Sequence, residues 1–278
     1  MKNAQVKIEQ SAEGAALTVP AGFQTKQCIQ MPEMAADQRW NAVVEKGARA
    51  VLCERDIHNS EIIVEAGAQL ELVSMQIDEP TNKHPVSKKI ILHDRAVVRL
   101  FTGLFNAVDV TMLGELDGNS CVFENHVMYF GSKKQTLRMQ LNTKHSGQRT
   151  MSRNLVRGVA VEQAHADFAG MIQVEPSARL ADAYLKHEGL LLSEKARIDA
   201  LPSLKIATND VKPTHSSAVH FIQPEQVFYL QSRGLDAVAA KQLIVSGFLE
   251  EMLATVREPD ILKQIHQLIE DKQKLITE

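Results

Sequence analysis

The stretch whose reading decides the fold runs from Met171 to Leu230: MIQVEPSARLADAYLKHEGLLLSEKARIDALPSLKIATNDVKPTHSSAVHFIQPEQVFYL. Its inner part holds Leu190-Leu191-Leu192-Ser193-Glu194-Lys195-Ala196, then Pro202, Leu204-Lys205-Ile206, Asn209-Asp210-Val211-Lys212 and Pro213-Thr214-His215-Ser216-Ser217. This reads as a piece of sheet, a polar corner and a further short strand. The stretch therefore ends a β-rich body and opens a helical tail.

Upstream, from Asn41 to about Ile206, the pattern is of short strands. Leu137, Met139 and Leu141 alternate with Arg138, Gln140 and Asn142, which is period two and means a strand with one buried face. Ile62-Ile63-Val64, Leu70-Glu71-Leu72-Val73, Val97 to Phe101, Val122 to Asn125 and Met171 to Val174 are similar runs, punctuated by single glycines at irregular spacing. Many short strands without intervening helices mean a sandwich, a barrel or a β-solenoid, and pattern alone leans to a sandwich. The first forty residues hold one strand-like piece, Ala16 to Val19, before the turn Pro20-Ala21-Gly22. The polar segment from Gln76 to Lys89, with two prolines, predicts an exposed loop.

Downstream of Ile222 the period changes. Pro224 and Glu225 suit a helix start, and Gly234 suits its end. Asp236 caps a second helix with Ala240, Leu243, Gly247 and Phe248 at helical spacing. A third begins near Pro259-Asp260, with Ile261, Ile265, Leu268 and Leu275 on one side. The expectation is a small helical domain, its apolar faces packed on one another, hinged to the β body by His215 to Gln223.

Over 278 residues, 44% apolar and 23% charged side chains are ordinary for a soluble globular protein. No apolar run approaches the ~20 residues a membrane span needs, and the start MKNAQVKIEQ has no signal-peptide core. A cytoplasmic protein is expected, without membrane partners. A net charge of −3 and 5% aromatic residues argue against nucleic acid. Cys28, Cys53 and Cys121 are distant in sequence and in no CxxC arrangement, so reduced, mostly buried thiols are expected.

Four blocks in order, LLLSEKA, the Pro202 to Ile206 segment, NDVKPTH and Phe228-Tyr229-Leu230-Gln231-Ser232-Arg233-Gly234-Leu235, resemble the SufB/SufD family of iron–sulfur assembly proteins, on its SufD side. The family pattern runs approximately LLLSDKA, P-x-L-E-I, DDVKCSHGAT and F-Y-L-x-S-R-G-[IL]. The resemblance implies a right-handed parallel β-helix with a small C-terminal helical domain, divided as 1–40 leading in, 41–221 core and 222–278 helical. It also implies that the longer helical region many members carry ahead of the core does not precede Ala16 here. The function it implies is a non-catalytic scaffold of the SUF machinery, pairing with a SufB-like subunit or a second copy and binding the ATPase SufC. No tightly bound cofactor is implied; a transient iron–sulfur cluster would form at the subunit interface.

His215, with Lys212 and Thr214, matches the family's assembly motif, and imidazole is a fit ligand for iron. Read from the residues alone, His215 is an exposed or interface strand histidine. Pro213 stands where the motif has Cys, so no thiolate is offered there. His220, five positions on, falls on the opposite face of a straight strand. His126 and His145 read as polar rung positions, and Cys121 as a buried thiol, with a sulfur-conducting role as its alternative. Phe228, Tyr229, Arg233, Leu243 and Phe248 are the residues through which the resemblance implies SufC binding. Two rival functions stay open: a SufB-like scaffold that holds a cluster itself, and a carbohydrate-active β-helix using Glu162, Asp167 and Glu175 as acid and base.

Overall fold

Strands with one apolar face must cover it, and this chain does so by coiling. The computed structural model describes residues 5–25, 27–35, 37–79 and 85–276. Its strands are β1 (Lys7–Ser11), β2 (Gly14–Val19), β3 (Ile29–Gln30), β4 (Arg39–Val44), β5 (Arg49–Glu54), β6 (Asn59–Val64), β7 (Gln69–Gln76), β8 (Val86–Leu92) and β9 (Val97–Leu104). There follow β10 (Val108–Leu116), β11 (Val122–Gly131), β12 (Thr136–His145), β13 (Met151–Ala160), β14 (His165–Val174), β15 (Asp182–Leu191), β16 (Arg197–Ile206) and β17 (Lys212–Phe221). Three helices close the described chain: α1 (Pro224–Gln231), α2 (Ala237–Leu253) and α3 (Pro259–Gln273).

The even-numbered strands, with β1 at one end, form a nine-stranded sheet, and the other odd-numbered strands form an eight-stranded one. Apart from the antiparallel β1–β2 pair, neighbours are parallel. The result is a parallel β-solenoid of about seven turns, as the family resemblance implied and the local pattern alone did not. Val108 pairs with Leu137, 29 residues on, but Arg39 pairs with Asn59, 20 on, and His165 with Arg197, 32 on. That variation hid the repeat.

Inward rows stack from turn to turn. Val110 and Met112 of β10 lie beside Met139 and Leu141 of β12, all buried, and each such side chain contributes roughly 2 kcal/mol of burial. Large inward rings are seated on glycines of the facing or next strand. A Cβ on Gly114 would overlap the Phe123 ring, and one on Gly158 the Tyr129 ring. Along one corner the turns share a left-handed residue, glycine at Gly47 and Gly67 and then Arg95, Ser120, Arg149 and Leu180. Each donates its N–H across to the next turn, as Arg95 does to Asn119 O at 2.8 Å and Arg149 to Arg179 O at 2.9 Å. The backbone ladder so holds non-glycine residues in a conformation that costs about 1–2 kcal/mol.

The helices pack on the solenoid wall as well as on one another. Met75, Phe101, Met128, Phe130, Val159 and Leu190 point out of the eight-stranded sheet, and α2 and α3 cover them with Val245, Leu249, Met252, Ile261, Ile265 and Ile269. This explains the uninterrupted run Val127-Met128-Tyr129-Phe130, buried on both faces of β11.

Two further expectations are corrected. Much of the polar Gln76–Lys89 segment is strand: Gln76 ends β7, Val86 to Lys89 begin β8, and residues 80–84 lie outside the described residues. Lys88 is wholly buried, pairing with Glu54 at 2.5 Å and donating to Ser60 Oγ at 2.9 Å, while Trp40 Nε1 donates to the second Glu54 oxygen at 2.7 Å. A lysine can sit inside the solenoid because its charge is matched there. Cys28 and Cys53, expected as thiols, are disulfide-bonded with Cα atoms 6.2 Å apart, since coiling brings β3 beside β5. Cys121 is free and buried, as expected; burial pushes its thiol up to about 11.

Candidate functional site

The two ends of the solenoid differ. At the first, the outermost strands are β1, short, exposed and carrying Lys7 and Glu9, and β3, two residues long, both poor templates for further pairing. At the last, β16 and β17 are ten residues each, and among the described residues no further strand pairs with either edge.

The hydrogen-bond pattern fixes what that open end presents. Lys212 N donates back to Ala181 O and Arg197 N back to Ala164 O, each at 2.9 Å. In a parallel ladder alternate residues bond to opposite neighbours, so the residues between them aim their backbone at the open edge. On β17 these are Pro213, His215, Ser217, Val219 and Phe221; on β16 they are Ile198, Ala200, Pro202, Leu204 and Ile206. Register with Ala183, Leu185, His187 and Gly189 makes the β17 set the inward row as well. Free backbone groups and inward side chains therefore belong to the same residues. Val219, Phe221 and Ile206 are exposed apolar members of these rows, and Leu201, on the other face of β16, is 71% exposed. Pro202 and Pro213 each leave one missing N–H in the edges, which a strand edge tolerates.

His215 sits on that inward row above Leu185, exposed and with no side-chain hydrogen bond among the described residues. Lys212 and Thr214 lie on the outward face of β17, so the strand splits the three motif residues between its two sides. His220 also faces outward, its ring edge-on to Phe248 with centroids 6.2 Å apart. Among the described residues no group of three or more His, Cys, Asp or Glu side chains could hold a metal ion. His215 is therefore not part of a three-ligand metal site formed by the described residues. The carbohydrate alternative does not find its three carboxylates together. Glu162 and Glu175 flank β14 at opposite ends, ~30 Å apart along ten residues of strand, several times the spacing glycoside hydrolysis uses. Asp167, on the outer face of β14, lies opposite Asp199 of β16, which is itself paired with His165 and Arg197. Glu162 is instead bound to Lys133 N at 2.7 Å.

The helical residues divide similarly. No residue of α1 is buried; Phe228 is 72% exposed, and Tyr229 and Leu243 are exposed too. The Arg233 guanidinium lies 5.4 Å from the Tyr229 ring centroid. Phe248 is not with them. It is half-buried against Arg157, whose guanidinium lies 5.0 Å from its ring centroid and donates to its carbonyl at 2.9 Å. Arg157 also pairs with Glu188 and, at 2.7 Å, with Glu251. Burial pushes the Glu188 carboxyl up, but hydrogen bonds and charge from Lys186 and Arg157 hold it below its usual range. This knot fastens α2 to β13 and β15 and, through Phe248, to the edge strand β17.

Inside the solenoid lie His187, which the sequence reading passed over, and His145, which it read as a polar rung position. His187 stacks on Phe168 with centroids 4.9 Å apart, meets Tyr129 Oη at 3.1 Å through Nε2 and Ser217 Oγ at 3.4 Å through Nδ1. His145 bonds Thr150 Oγ1 at 2.8 Å and Ser152 Oγ at 2.9 Å. Burial pushes both imidazoles down to about 4 and raises the Tyr129 hydroxyl. His126, on the outer wall beneath the helices, is lowered by burial as well. A signal for His187 existed: Leu185 and Gly189 on either side are inward, so period two places His187 inward.

A parallel β-solenoid with one open terminal turn, and with helices along its outer wall, is the class these features define. Residues 27–248 match the SUF system FeS cluster assembly SufBD core domain, and the chain belongs to that family. It is similar to the iron-sulfur cluster assembly protein SufD of Escherichia coli K12, 25% identical over 206 residues, covering 73% of this chain and 49% of that one. The Bacillus subtilis SufD is 32% identical over 159 residues, 57% of this chain and 36% of that one. A SufBD family iron-sulfur cluster assembly protein of Mycobacterium leprae is 28% identical over 222 residues, 76% and 57% of the two chains. The chain thus spans about half the length of these relatives or less. No described helix is long and apolar enough to cross a membrane.

Proposed function

We propose that this chain is a SufD-like scaffold subunit, not a catalyst, of the SUF iron–sulfur assembly complex in the cytoplasm. It pairs through the open turn with a SufB-like subunit or a second copy, and takes the ATPase SufC on the exposed surface of α1 and α2. The observation that carries the reading is the coincidence at β16 and β17: the residues with free backbone groups are also those whose side chains face inward. A strand added there gains main-chain hydrogen bonds and covers Val219, Phe221 and Ile206. It also encloses His215 between two chains.

The nascent cluster is cargo. In this reading His215 contributes an imidazole while the thiolates that clusters require come from the partner, since Pro213 supplies none. Lys212 and Thr214, on the outward side, act at the rim. Phe228, Tyr229, Arg233 and Leu243 form the ATPase contact, with Phe248 beneath as its support.

Co-purification of the tagged chain with SufB and SufC tests this, comparing wild type, His215→Ala and a chain ending at Gln223. Both partners are expected with wild type, and SufC alone is expected to be lost on truncation. Absence of both partners from wild type would overturn the reading.

A further inference from the structure

Behind the open turn, the buried Tyr129 and His187 and the exposed Ser217 run in a line across four turns of the solenoid to its surface. Tyr129 on β11 leans over Gly158 of β13, where no Cβ stands in its way, to reach His187 on β15, and Ser217 on β17 sits directly above. Proton placement in this line follows from satisfaction of its buried groups. His187 is the one hydrogen-bond partner of the wholly buried Tyr129 hydroxyl among the described residues. Were Tyr129 the acceptor, its own proton would be stranded in the core at a cost of about 1–3 kcal/mol. Tyr129 therefore donates to Nε2. A neutral imidazole that accepts at Nε2 carries its proton on Nδ1, and Nδ1 donates to Ser217 Oγ. Ser217, exposed and with no other partner among the described residues, keeps its O–H to give outward.

We propose that Ser217 is a preset hydrogen-bond donor of the open-end site, with His187 and Tyr129 as its positioning residues, and that it receives an anionic sulfur beside His215. The sulfur is either free sulfide or a thiolate of the pairing chain. This rests on the scaffold reading above and adds to it a donor that the motif does not contain. Ser217 and His215 are neighbours on one inward row, so a ligand held by the imidazole lies within reach of the hydroxyl.

Two measurements test the inference on the full chain. Nitrogen-15 NMR of histidine-labelled protein should show His187 protonated at Nδ1, and Tyr129→Phe should shift that balance toward Nε2. Anaerobic titration with ferrous ion and then sodium sulfide, followed by sulfide-to-iron charge-transfer absorption, should give unchanged iron uptake in Ser217→Ala. Its sulfide half-saturation should rise about ten-fold or more, the size of one hydrogen bond to a charged acceptor, and Ser217→Thr should restore it. Repeating the titration with a short thiol peptide in place of sulfide separates the two sulfur sources. An Nε2–H tautomer in wild type, equal sulfide half-saturation in Ser217→Ala and wild type, or no sulfur uptake by wild type would each overturn the proposal. His215→Ala is the control for the underlying reading: if it loses nothing while Ser217→Ala does, the scaffold role of His215 fails and the donor stands.

Discussion

Arg157→Met should loosen the helical cover from the solenoid wall by about 2–4 kcal/mol. The guanidinium is 12% exposed and makes four attachments at once: ion pairs to Glu188 and Glu251, a 2.9 Å hydrogen bond to Phe248 O, and the Phe248 ring face. The Glu251 pair contributes little, because that carboxylate is 72% exposed and such pairs are worth about 0–1 kcal/mol. The carbonyl bond from a charged donor is worth about 1.5–3 kcal/mol and the ring contact about 0.5–1 kcal/mol. Glu188 is 23% exposed and keeps Lys186 at 2.9 Å, so its charge is not left alone, and the methionine stem retains most of the apolar packing. Amide hydrogen exchange is the assay that localises the effect. Protection should fall in α2 around Phe248 to Leu253 and in β17 near His220, while β10 and β12 stay unchanged. Glu251→Gln should cost less than about 1 kcal/mol, and Arg157→Lys should behave like Met, because one ammonium cannot reach all four partners. Stability of Arg157→Met within about 0.5 kcal/mol of wild type, or exchange that rises uniformly, would refute the idea that Arg157 fastens helix to wall.

Gly158→Ala forces a methyl into the Tyr129 ring and should lower stability by about 2–3 kcal/mol in denaturant titration. Gly247→Ala, with nothing within 4 Å of its Cβ, should raise it by about 0.5–1 kcal/mol, and equal effects would sink the seating argument. Phe228→Asp should leave the melting temperature unchanged, since the ring is exposed, yet weaken SufC capture; a large drop in melting temperature would mean the ring is structural. His145 and His187 have folded pKa values near 4 against 6.5, so the unfolded chain binds more protons between those values. Stability should be flat above pH 6.5 and fall as pH drops toward 4. His187→Gln should shallow that fall, and a flat wild-type profile would contradict the burial of both rings.

How much of this was legible depends on which residues decided it. The alternation of Leu137, Met139 and Leu141 gave β12, and Asp236 was readable as a cap, its carboxylate accepting from Ala239 N at 2.7 Å. Period two says which side chains face inward but not whether the covering face belongs to a second sheet of a sandwich or to the same coil. Only the motif resemblance separated them. The helix docking was harder. α2 reads AVAAKQLIVSGFLEEML, apolar on nearly every side, so spacing suggested Leu243 for the buried face where the fold buries Val245, Leu249 and Met252. The missing information lay in the wall, in Met128, Phe130, Val159 and Leu190, whose outward positions become evident only when register is known. Lys88 was assigned to a loop because its charge masks an inward position that Glu54 neutralises.

Parity links the open end to its chemistry. Side-chain direction and hydrogen-bond direction both alternate with period two along β17, so they cannot be chosen independently. Once Lys212 bonds back to Ala181, His215 and Ser217 must both face inward and offer their backbone to whatever arrives. Under the scaffold reading, pairing and the enclosure of the assembly site are one event. A subunit that docked elsewhere would leave His215 in water. Deleting one residue between Asp210 and Lys212 gives the sharpest test, because it shifts the register and turns His215, Ser217 and Val219 to the outer wall together. Such a chain should lose partner capture and iron uptake at the same step. Retention of either one alone would show that the edge and the imidazole act separately.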